Sequence, residues 1–165
     1  MVSGDELRAV MRRYPAGVSV VGVDAQGQRL AVTMSSLVSL SLEPALVGIS
    51  VGKQNALHEL LREAGEFGVS LLSADQLELA SRFARGLPPI ALWEGVAVRA
   101  GEGPPLLEGA LGWLRCTVAT EAGMASRGKR TLRTSAAFCT RLGAAESIAC
   151  AKKTQTMRPT IRYSG

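Results

Sequence analysis

The sequence predicts a mainly β protein, built as an antiparallel barrel with short flanking helices. The apolar runs are short and are joined by hairpin-length turns. Glycine is abundant, with 18 residues, whereas aromatic residues make up only 4% of the chain. Predicted strands also outnumber predicted helices. Many short strands with tight turns account for these three observations better than a helical bundle or a doubly wound sheet does.

The chain begins with a predicted amphipathic helix and a β-hairpin. Pro15-Ala16-Gly17 ends the helix, because proline and glycine both interrupt the helical backbone. Val18 to Val23 and Leu30 to Met34 predict two strands joined by a turn at residues 24–27. The apolar residues at helical spacing are Leu7, Val10, Met11 and Tyr14.

A strand, a second strand and a helix are predicted next. Polar and apolar residues alternate from Ser36 to Leu42, the period of a half-buried strand, and Glu43-Pro44 ends it. Ala45 to Val51 predicts another strand, and Asn55 can cap a helix that reaches about Ala64. The side chains expected to face the core from this helix are Leu57, Leu60 and Leu61.

Predicted strands and helices continue along the chain as far as Gly123. Phe67 to Leu72 predicts a strand, and Ser73 with Gln76 forms a capping box for a helix that ends near Ala84. Beyond Gly123 only a weak apolar segment remains. The residues expected to be buried from the helix are Leu77, Leu79, Ala80 and Phe83. The later segments are strands at Gly95 to Ala100 and Gly109 to Ala119, and the weak segment from Leu132 to Leu142.

The distribution of charged residues also changes at residue 123. Residues 1–123 hold 10 Lys+Arg and 13 Asp+Glu, whereas residues 124–165 hold 9 Lys+Arg and only Glu146 as an acidic residue. A basic tail is typical of some nucleic-acid-binding proteins, but this one has neither zinc-ligand spacing nor interleaved aromatic residues, which argues against that partner. With no apolar run of membrane length, no signal-peptide pattern and three scattered cysteines, the expected location is the cytoplasm.

Few residues suit acid–base or nucleophilic chemistry. His58 is the single histidine, and no serine or cysteine stands at a spacing that predicts a catalytic triad. We therefore interpret it as a surface or helix-end residue beside Glu59. Neither a GxGxxG fingerprint nor a phosphate-binding P-loop is present. No catalytic side chain and no metal site are predicted.

Two polar segments offer a different kind of binding site. Thr33, Ser35 and Ser36 place three hydroxyls at the end of a strand. Residues 50–55 end the next long strand and begin a helix, whose first N–H groups and partial positive charge suit a phosphate. Lys53 would add a cation. The alternative interpretation is that these are ordinary strand-edge polar residues and a helix cap.

The order of four motifs resembles the flavin reductase-like family, also called the FMN-binding split barrel. The similarity covers residues 7–122. The first motif is an aromatic-Pro-x-Gly-Val strand at Tyr14 to Val18, and the second is a T-x-S-S run at Thr33 to Ser36 that leads to Glu43-Pro44-Ala45-Leu46-Val47. The third is an S-x-x-D-Q helix signal, resembled by Ser73-Ala74-Asp75-Gln76 with Arg82-Phe83-Ala84. The fourth is a Gly-x-Pro-x-Leu element at Gly103 to Cys116.

This resemblance implies a six-stranded antiparallel split β-barrel that forms a homodimer with flavin near the subunit interface. It also implies reduction of FMN or FAD by NADH or NADPH, with transfer of reduced flavin to a separate monooxygenase. The resemblance also assigns roles by position. The isoalloxazine ring would be lined by Thr33, Met34, Ser35 and Ser36, and this wall would continue with Ser50 and Val51. The phosphate would be held by Lys53, Gln54 and Asn55, and the far side of the site would be closed by Arg82 and Phe83.

The chain departs from the family after the cysteine-containing strand. Family members carry Gly-Asp-His there, with the histidine beside the nicotinamide, whereas this chain has Gly123-Met124-Ala125. The domain is therefore predicted over residues 1–123 and an atypical basic segment over 124–165. Three explanations stay open for that segment: a divergent folded replacement, an extension that serves a partner, or a shifted reading frame. An alternative function is a flavin-binding protein with little or no reductase activity.

Overall fold

The fold is a seven-stranded antiparallel sheet with short helices, seen in a computed structural model that describes residues 2–124 and 134–140. Within those residues no helix has both the length and the apolar character needed to cross a bilayer. The elements are α1 (Gly4–Met11), β1 (Ser19–Ala25), β2 (Gln28–Met34), β3 (Val38–Leu42), β4 (Ala45–Gly52), α2 (Ala56–Ala64), β5 (Glu66–Leu71), α3 (Leu77–Ala84), α4 (Pro89–Trp93), β6 (Gly112–Met124) and β7 (Thr134–Thr140).

The sheet has the strand order β2-β1-β5-β6-β7-β4-β3. β1 and β2 form the predicted hairpin, with Val21 opposite Val32, and the turn places Gln26 and Gly27 at φ values of 51° and 81°. Glycine suits this turn because it tolerates positive φ without a steric penalty. In the described residues β2 and β3 are the two edges, so the sheet is antiparallel as predicted but is not seen to close into a barrel.

Apolar side chains form two core clusters. The larger cluster holds α2 against β1, β4, β5 and β6, and the smaller one holds α3 and α4 near β1 and β2. β1 contributes to both clusters, because Val20 and Val21 point to opposite faces of the sheet and both are buried. The larger cluster contains Val21, Val23, Ile49, Val51, Leu57, Leu61, Phe67, Val69 and Cys116.

The predicted helix signals are present where the sequence places them. Asn55 caps α2 by accepting a hydrogen bond from the backbone N–H of Leu57 at 2.9 Å, and Gly65 ends the helix at φ 67°. Ser73 and Gln76 form the expected capping box, which opens with a short 3-10 turn at Ala74–Gln76 and leads into α3. These caps fix where the chain enters and leaves the sheet.

Two predictions in the middle of the chain are wrong. Gly95 to Ala100 is not a strand, since only Val98 makes an isolated bridge, to Leu107, and the segment follows the unpredicted helix α4. Leu77 is not buried either: it is the first residue of α3 and 71% exposed, whereas Phe83 is buried as expected. Leu79 and Ala80, which were also expected to be buried, are partly buried against the smaller core cluster.

β7 lies inside the segment that the sequence separates from the domain. It pairs with β4, where Ile49 is opposite Ala137, and with β6, where Glu121 is opposite Ala137. The weak apolar segment from Leu132 to Leu142 therefore contains a strand, and this strand connects the two halves of the sheet. Residues 125–133 and 141–165, which carry the rest of the predicted basic segment, lie outside the described residues.

A loop crosses closely over two glycines of the sheet, which allows a stability test. A Cβ added at Gly68 would lie 2.8 Å from both the Pro105 carbonyl oxygen and Leu106 Cδ2. We expect Gly68→Ala to lower the free energy of unfolding by about 1–3 kcal/mol, because backbone must shift to admit the methyl group. Urea unfolding measures this change. Gly17→Ala is the matched control, since nothing lies within 4 Å of its Cβ, and an equal loss in both variants would contradict the close approach.

Candidate functional site

A serine hydroxyl joins the two polar segments predicted to form the site. Ser36 follows β2, and its Oγ accepts a hydrogen bond from the Ser50 backbone N–H at 3.1 Å and donates to the Ser50 carbonyl oxygen at 3.3 Å. Ser50 itself is exposed near the end of β4. The structure therefore brings one of the strand-end hydroxyls, that of Ser36, together with the strand that leads into α2. In this arrangement the Ser36 hydroxyl is engaged with protein backbone.

The start of α2 is the second part of the site. The Asn55 N–H donates to the Gly52 carbonyl at 2.9 Å, and the Asn55 carbonyl accepts from the His58 N–H at 2.9 Å. The backbone N–H groups of Leu57 and His58, both in the first turn of α2, therefore donate to Asn55 and not to a ligand. A ligand contact from the Asn55 side chain would therefore come from Nδ2, and a backbone contact from the N–H of Ala56.

Lys53 and Gln54 flank this helix start. The Lys53 side chain is partly buried and Gln54 is exposed. The amide group of Gln54 folds back over Gly52, since its Nε2 lies 3.6 Å from where a Cβ of Gly52 would be. One cation and one amide therefore precede Asn55 directly in the sequence. This donor set suits an anion of phosphate size.

Thr33 and Met34 approach the site from β2 but have other partners. Thr33 Oγ1 donates to the Ala80 carbonyl of α3 at 2.7 Å, which ties the strand to that helix. Met34 packs beside the larger core cluster, and its sulfur lies 3.7 Å from Ser36 Oγ. Ser35, the next residue, is exposed. Of the three predicted hydroxyls, only those of Ser35 and Ser36 lie in the loop that follows the strand.

Arg82 and Phe83 are positioned by α4. Arg82 donates to the Glu94 carbonyl at 2.5 Å. Phe83 is 1% exposed, and its ring meets the ring of Trp93 edge-on, with centroids 5.1 Å apart. The Val51 side chain, 5% exposed, likewise belongs to the core, so only its backbone can face a ligand.

Five of the predicted residues line three separate recesses. Asn55 and Phe83 line a cavity of about 700 Å³ between β2, α2 and the loop after α3. Ser35 and Ser36 line a groove of about 390 Å³ that also contains Tyr14. Arg82 lines a third groove of about 530 Å³ on α3. No single recess described within this chain unites all the predicted residues.

His58 was interpreted incorrectly as a surface residue. It lies near the start of α2 as a helix-end residue would, yet it is only 6% exposed. Its Nε2 lies 2.8 Å from Glu121 Oε1, and its Nδ1 lies 3.2 Å from Glu59 Oε1. Only the neighbour Glu59 was visible in the sequence, because Glu121 approaches through the pairing of distant strands.

Among the residues that the structure describes, two carboxyl groups have a perturbed pKa, and both lie outside the candidate site. The backbone hydrogen bond from Ser3, followed by the hydroxyl of Ser3, lowers the pKa of Glu6 at the start of α1. The hydroxyl of Ser73 lowers the pKa of Asp75 before α3. These shifts reflect helix capping, so they do not indicate a general acid or base.

The Ser36 contacts predict a local effect that can be measured without any ligand. Ser36→Ala removes both hydrogen bonds to Ser50, so we expect a stability loss of about 1 kcal/mol in urea unfolding. The Ser50 amide should also exchange faster with solvent than in the parent chain. Ser41→Ala, on the neighbouring strand β3, is the control. Unchanged exchange at Ser50 would show that the hydroxyl does not hold these segments together.

Comparison with known proteins gives a consistent result. The chain is 33% identical over 117 residues to an NADH:FMN oxidoreductase of Rhodococcus qingshengii, covering 71% of this chain and 61% of that protein. It is 35% identical over 112 residues to the reductase component of 4-hydroxyphenylacetate 3-monooxygenase of Thermus thermophilus, covering 68% and 69% respectively. The chain thus spans less than two thirds of the first of these relatives.

A solved structure and a family pattern agree with these relatives. The structure of the NADH:FAD oxidoreductase of Streptomyces globisporus superposes with a TM-score of 0.71 at 31% identity, covering 85% of this chain and 82% of that one. The pattern of the family described as flavin reductase like domain matches residues 11–138, beyond the predicted boundary at 123 and into β7. The chain therefore belongs to the flavin reductase like domain family.

Proposed function

We propose that this chain is an NAD(P)H-dependent flavin reductase that supplies reduced FMN or FAD to a partner monooxygenase. The observation that carries the proposal is the pair of hydrogen bonds between Ser36 and Ser50. They bring a strand-end hydroxyl beside the strand that runs directly into the start of α2. A planar polar ring and a phosphate attached to it need those two features side by side.

The proposed contacts follow the two parts of the site. The loop after β2 and the exposed end of β4 would lie along the isoalloxazine ring, and the start of α2 would hold the phosphate. Thr33 and Phe83 would act through packing, because one is bonded to α3 and the other is buried. The proposed set is Thr33, Met34, Ser35, Ser36, Ser50, Val51, Lys53, Gln54, Asn55, Arg82 and Phe83.

The donor chemistry of the site fits a flavin. Hydroxyl and amide groups suit the polar edge of the ring, and Lys53 with the first turn of α2 suits the phosphate. When bound, an oxidised flavin supplies the hydride acceptor that the chain's own side chains do not provide. The chain's part is to bind and orient the ring, which needs no general base.

The assembly that we propose also follows the family. Relatives that act as reductase components support a separate monooxygenase as the partner. We further propose that the sheet closes into a split β-barrel and that two chains form a homodimer. A second chain would complete the recesses that this chain leaves divided. The cytoplasm is the compartment that we propose for it.

A second candidate is a flavin-binding protein with little or no reductase activity. It is favoured by Gly123-Met124-Ala125, where family members carry Gly-Asp-His with a histidine beside the nicotinamide. The proposed flavin contacts all precede residue 123, so flavin binding does not depend on that motif. The missing histidine would instead weaken the binding of NAD(P)H.

Turnover and binding measured together distinguish the two candidates. A reductase should bind FMN or FAD and should oxidise NADH or NADPH only when flavin is added, followed as loss of absorbance at the nicotinamide band. Tight flavin binding with negligible turnover would select the second candidate. Absence of flavin binding, in a chain shown to be folded by urea unfolding, would contradict both.

Asn55 offers a variant that separates helix capping from ligand binding. Asn55→Ser keeps a capping oxygen but removes Nδ2, whereas Asn55→Ala removes both. We expect Asn55→Ala to lose about 1 kcal/mol of stability and Asn55→Ser to lose little. Both should weaken flavin binding by about 1–2 kcal/mol if Nδ2 donates to the phosphate.

The readouts for this pair are fluorescence titration of flavin and urea unfolding of the same preparations. Normal flavin affinity in Asn55→Ser would show that Asn55 serves only as a helix cap, and the proposed phosphate contact would then be wrong.

A further inference from the structure

The cavity of about 700 Å³ beside the start of α2 lies along the edge of the sheet that β2 forms. Residues 27–32, from the hairpin turn and β2, line it. Leu60 of α2 lines it from the face of the larger core cluster, whereas Phe83 of α3 and Leu92 of α4 line it from the face of the smaller cluster. The cavity therefore extends across the edge of the sheet, with apolar side chains from both faces.

The hydrogen-bond register shows which backbone groups of β2 face away from the sheet. Ala25 and Gln28 flank a two-residue turn and so form the first hydrogen-bonded pair of the hairpin. Bonded and non-bonded pairs alternate from there, and the N–H and carbonyl of a non-bonded residue both point outward. Accordingly, the Arg29 carbonyl accepts from the Trp93 Nε1–H at 3.1 Å. Two residues further on, Ala31 turns both of its backbone groups to the same outer side.

The backbone of Ala31 is buried beside the cavity without a partner. Ala31 lines the cavity and is 2% exposed. Within the part of the chain that the structure describes, no strand pairs with this side of β2, and neither the N–H nor the carbonyl of Ala31 has a hydrogen-bond partner there. Buried backbone groups are nearly always paired, because leaving them unpaired costs free energy. This N–H and carbonyl therefore indicate a ligand that offers an acceptor and a donor side by side.

The polar residues of the cavity suit a phosphate. Among the described residues that line it, Arg29 is the one with a charge. Its Nε lies 3.2 Å from Asp24 Oδ2, a contact that engages one of the five N–H groups of the guanidinium. Asn55 and Ala56, at the start of α2, line the same cavity. The cavity is therefore continuous with the groups proposed to hold the flavin phosphate.

These features together select an adenine nucleotide. One edge of adenine presents a ring-nitrogen acceptor next to an amino donor, which matches the N–H and carbonyl of a single strand residue. A flat purine also suits a cavity with mostly apolar walls and a few placed polar groups. FAD carries adenosine beyond the flavin phosphate, joined through a second phosphate, whereas FMN ends at its single phosphate. Of the two flavins, only FAD would extend from the start of α2 into the cavity.

We propose that this cavity holds the adenosine half of FAD and that the chain binds FAD in preference to FMN. The inference rests on the proposed function, and it names the flavin that the site takes. The backbone of Ala31 would bond the adenine edge, and Arg29 would bind the second phosphate. Because the cavity uses residues 27–32, it leaves Ser36 and the loop after β2 for the isoalloxazine ring.

The first test compares the affinities of FMN and FAD for the full chain by fluorescence titration. We expect FAD to bind about tenfold more tightly than FMN, or better, because only FAD gains the contacts of the cavity. Ala84 is exposed and lines the cavity, so Ala84→Leu fills space there without changing α2. This variant should lower FAD affinity about tenfold and leave FMN affinity within about twofold.

The control for this variant is Ala9→Leu, at an exposed alanine of α1 that does not line the cavity. It should bind both flavins as the parent chain does, and urea unfolding reports whether each variant is folded. Equal affinity of the parent chain for FMN and FAD would overturn the inference. An Ala84→Leu variant that weakens FMN and FAD equally would also overturn it.

Amide exchange at Ala31 provides a readout that needs no turnover. We expect saturating FAD or AMP to slow this exchange about tenfold or more, whereas FMN leaves it unchanged. Val32 is the internal reference, since its N–H belongs to the ladder with β1. Slowing by FMN would show that the cavity receives the flavin ring. Exchange as slow as that of Val32 without ligand would show that another segment covers this edge. Either result would overturn the inference.

The AMP measurement separates this inference from the proposed function. If FMN binds without any preference for FAD, and AMP leaves exchange at Ala31 unchanged, the inference alone is overturned. If AMP slows exchange at Ala31 but neither flavin binds, the proposed function and the choice of FAD are both wrong, whereas the adenine site is supported.

Discussion

The burial of α2 on the sheet is the interaction on which the rest of the structure depends. Leu57 and Leu61 are 0% and 3% exposed, and they lie in the same cluster as Val21 of β1 and Ile49 of β4. Because β1 and β4 are separated by three strands in the sheet, the helix covers residues that no single hairpin could bring together. The same burial places the start of α2 at the end of β4, where the candidate phosphate contacts lie.

Local signals in the sequence predicted the elements but not their long-range contacts. The alternation after Ser36, the break at Glu43-Pro44 and the cap at Asn55 each act within a few residues, so they were correctly placed. By contrast, α4 was missed and a strand was expected at 95–100, since short apolar runs do not distinguish one turn of helix from a strand. β7 gave a weak signal because its place is determined by β4 and β6.

For the candidate site, the sequence indicated which segments are involved but not the contacts of each side chain. The resemblance to a family selected the residues around Ser36, Ser50 and Asn55, and the hydrogen bonds between Ser36 and Ser50 then showed that the two segments meet. The role of each side chain was less predictable. Thr33 is bonded to a helix backbone and Phe83 is buried, contacts that depend on elements far along the chain.

The central place of β7 has a consequence for how the chain folds. β4 ends at Gly52 and β6 begins at Gly112, yet the strand that joins them is completed only at residue 140. During synthesis, β4 and β6 therefore emerge before their shared neighbour exists, with backbone groups that have no ladder partner on that side. Non-local pairing of this kind is slow, and such unpaired strands invite association between nascent chains. Among the described strands, β7 is therefore the last to leave the ribosome, and it pairs with two strands that have already been made.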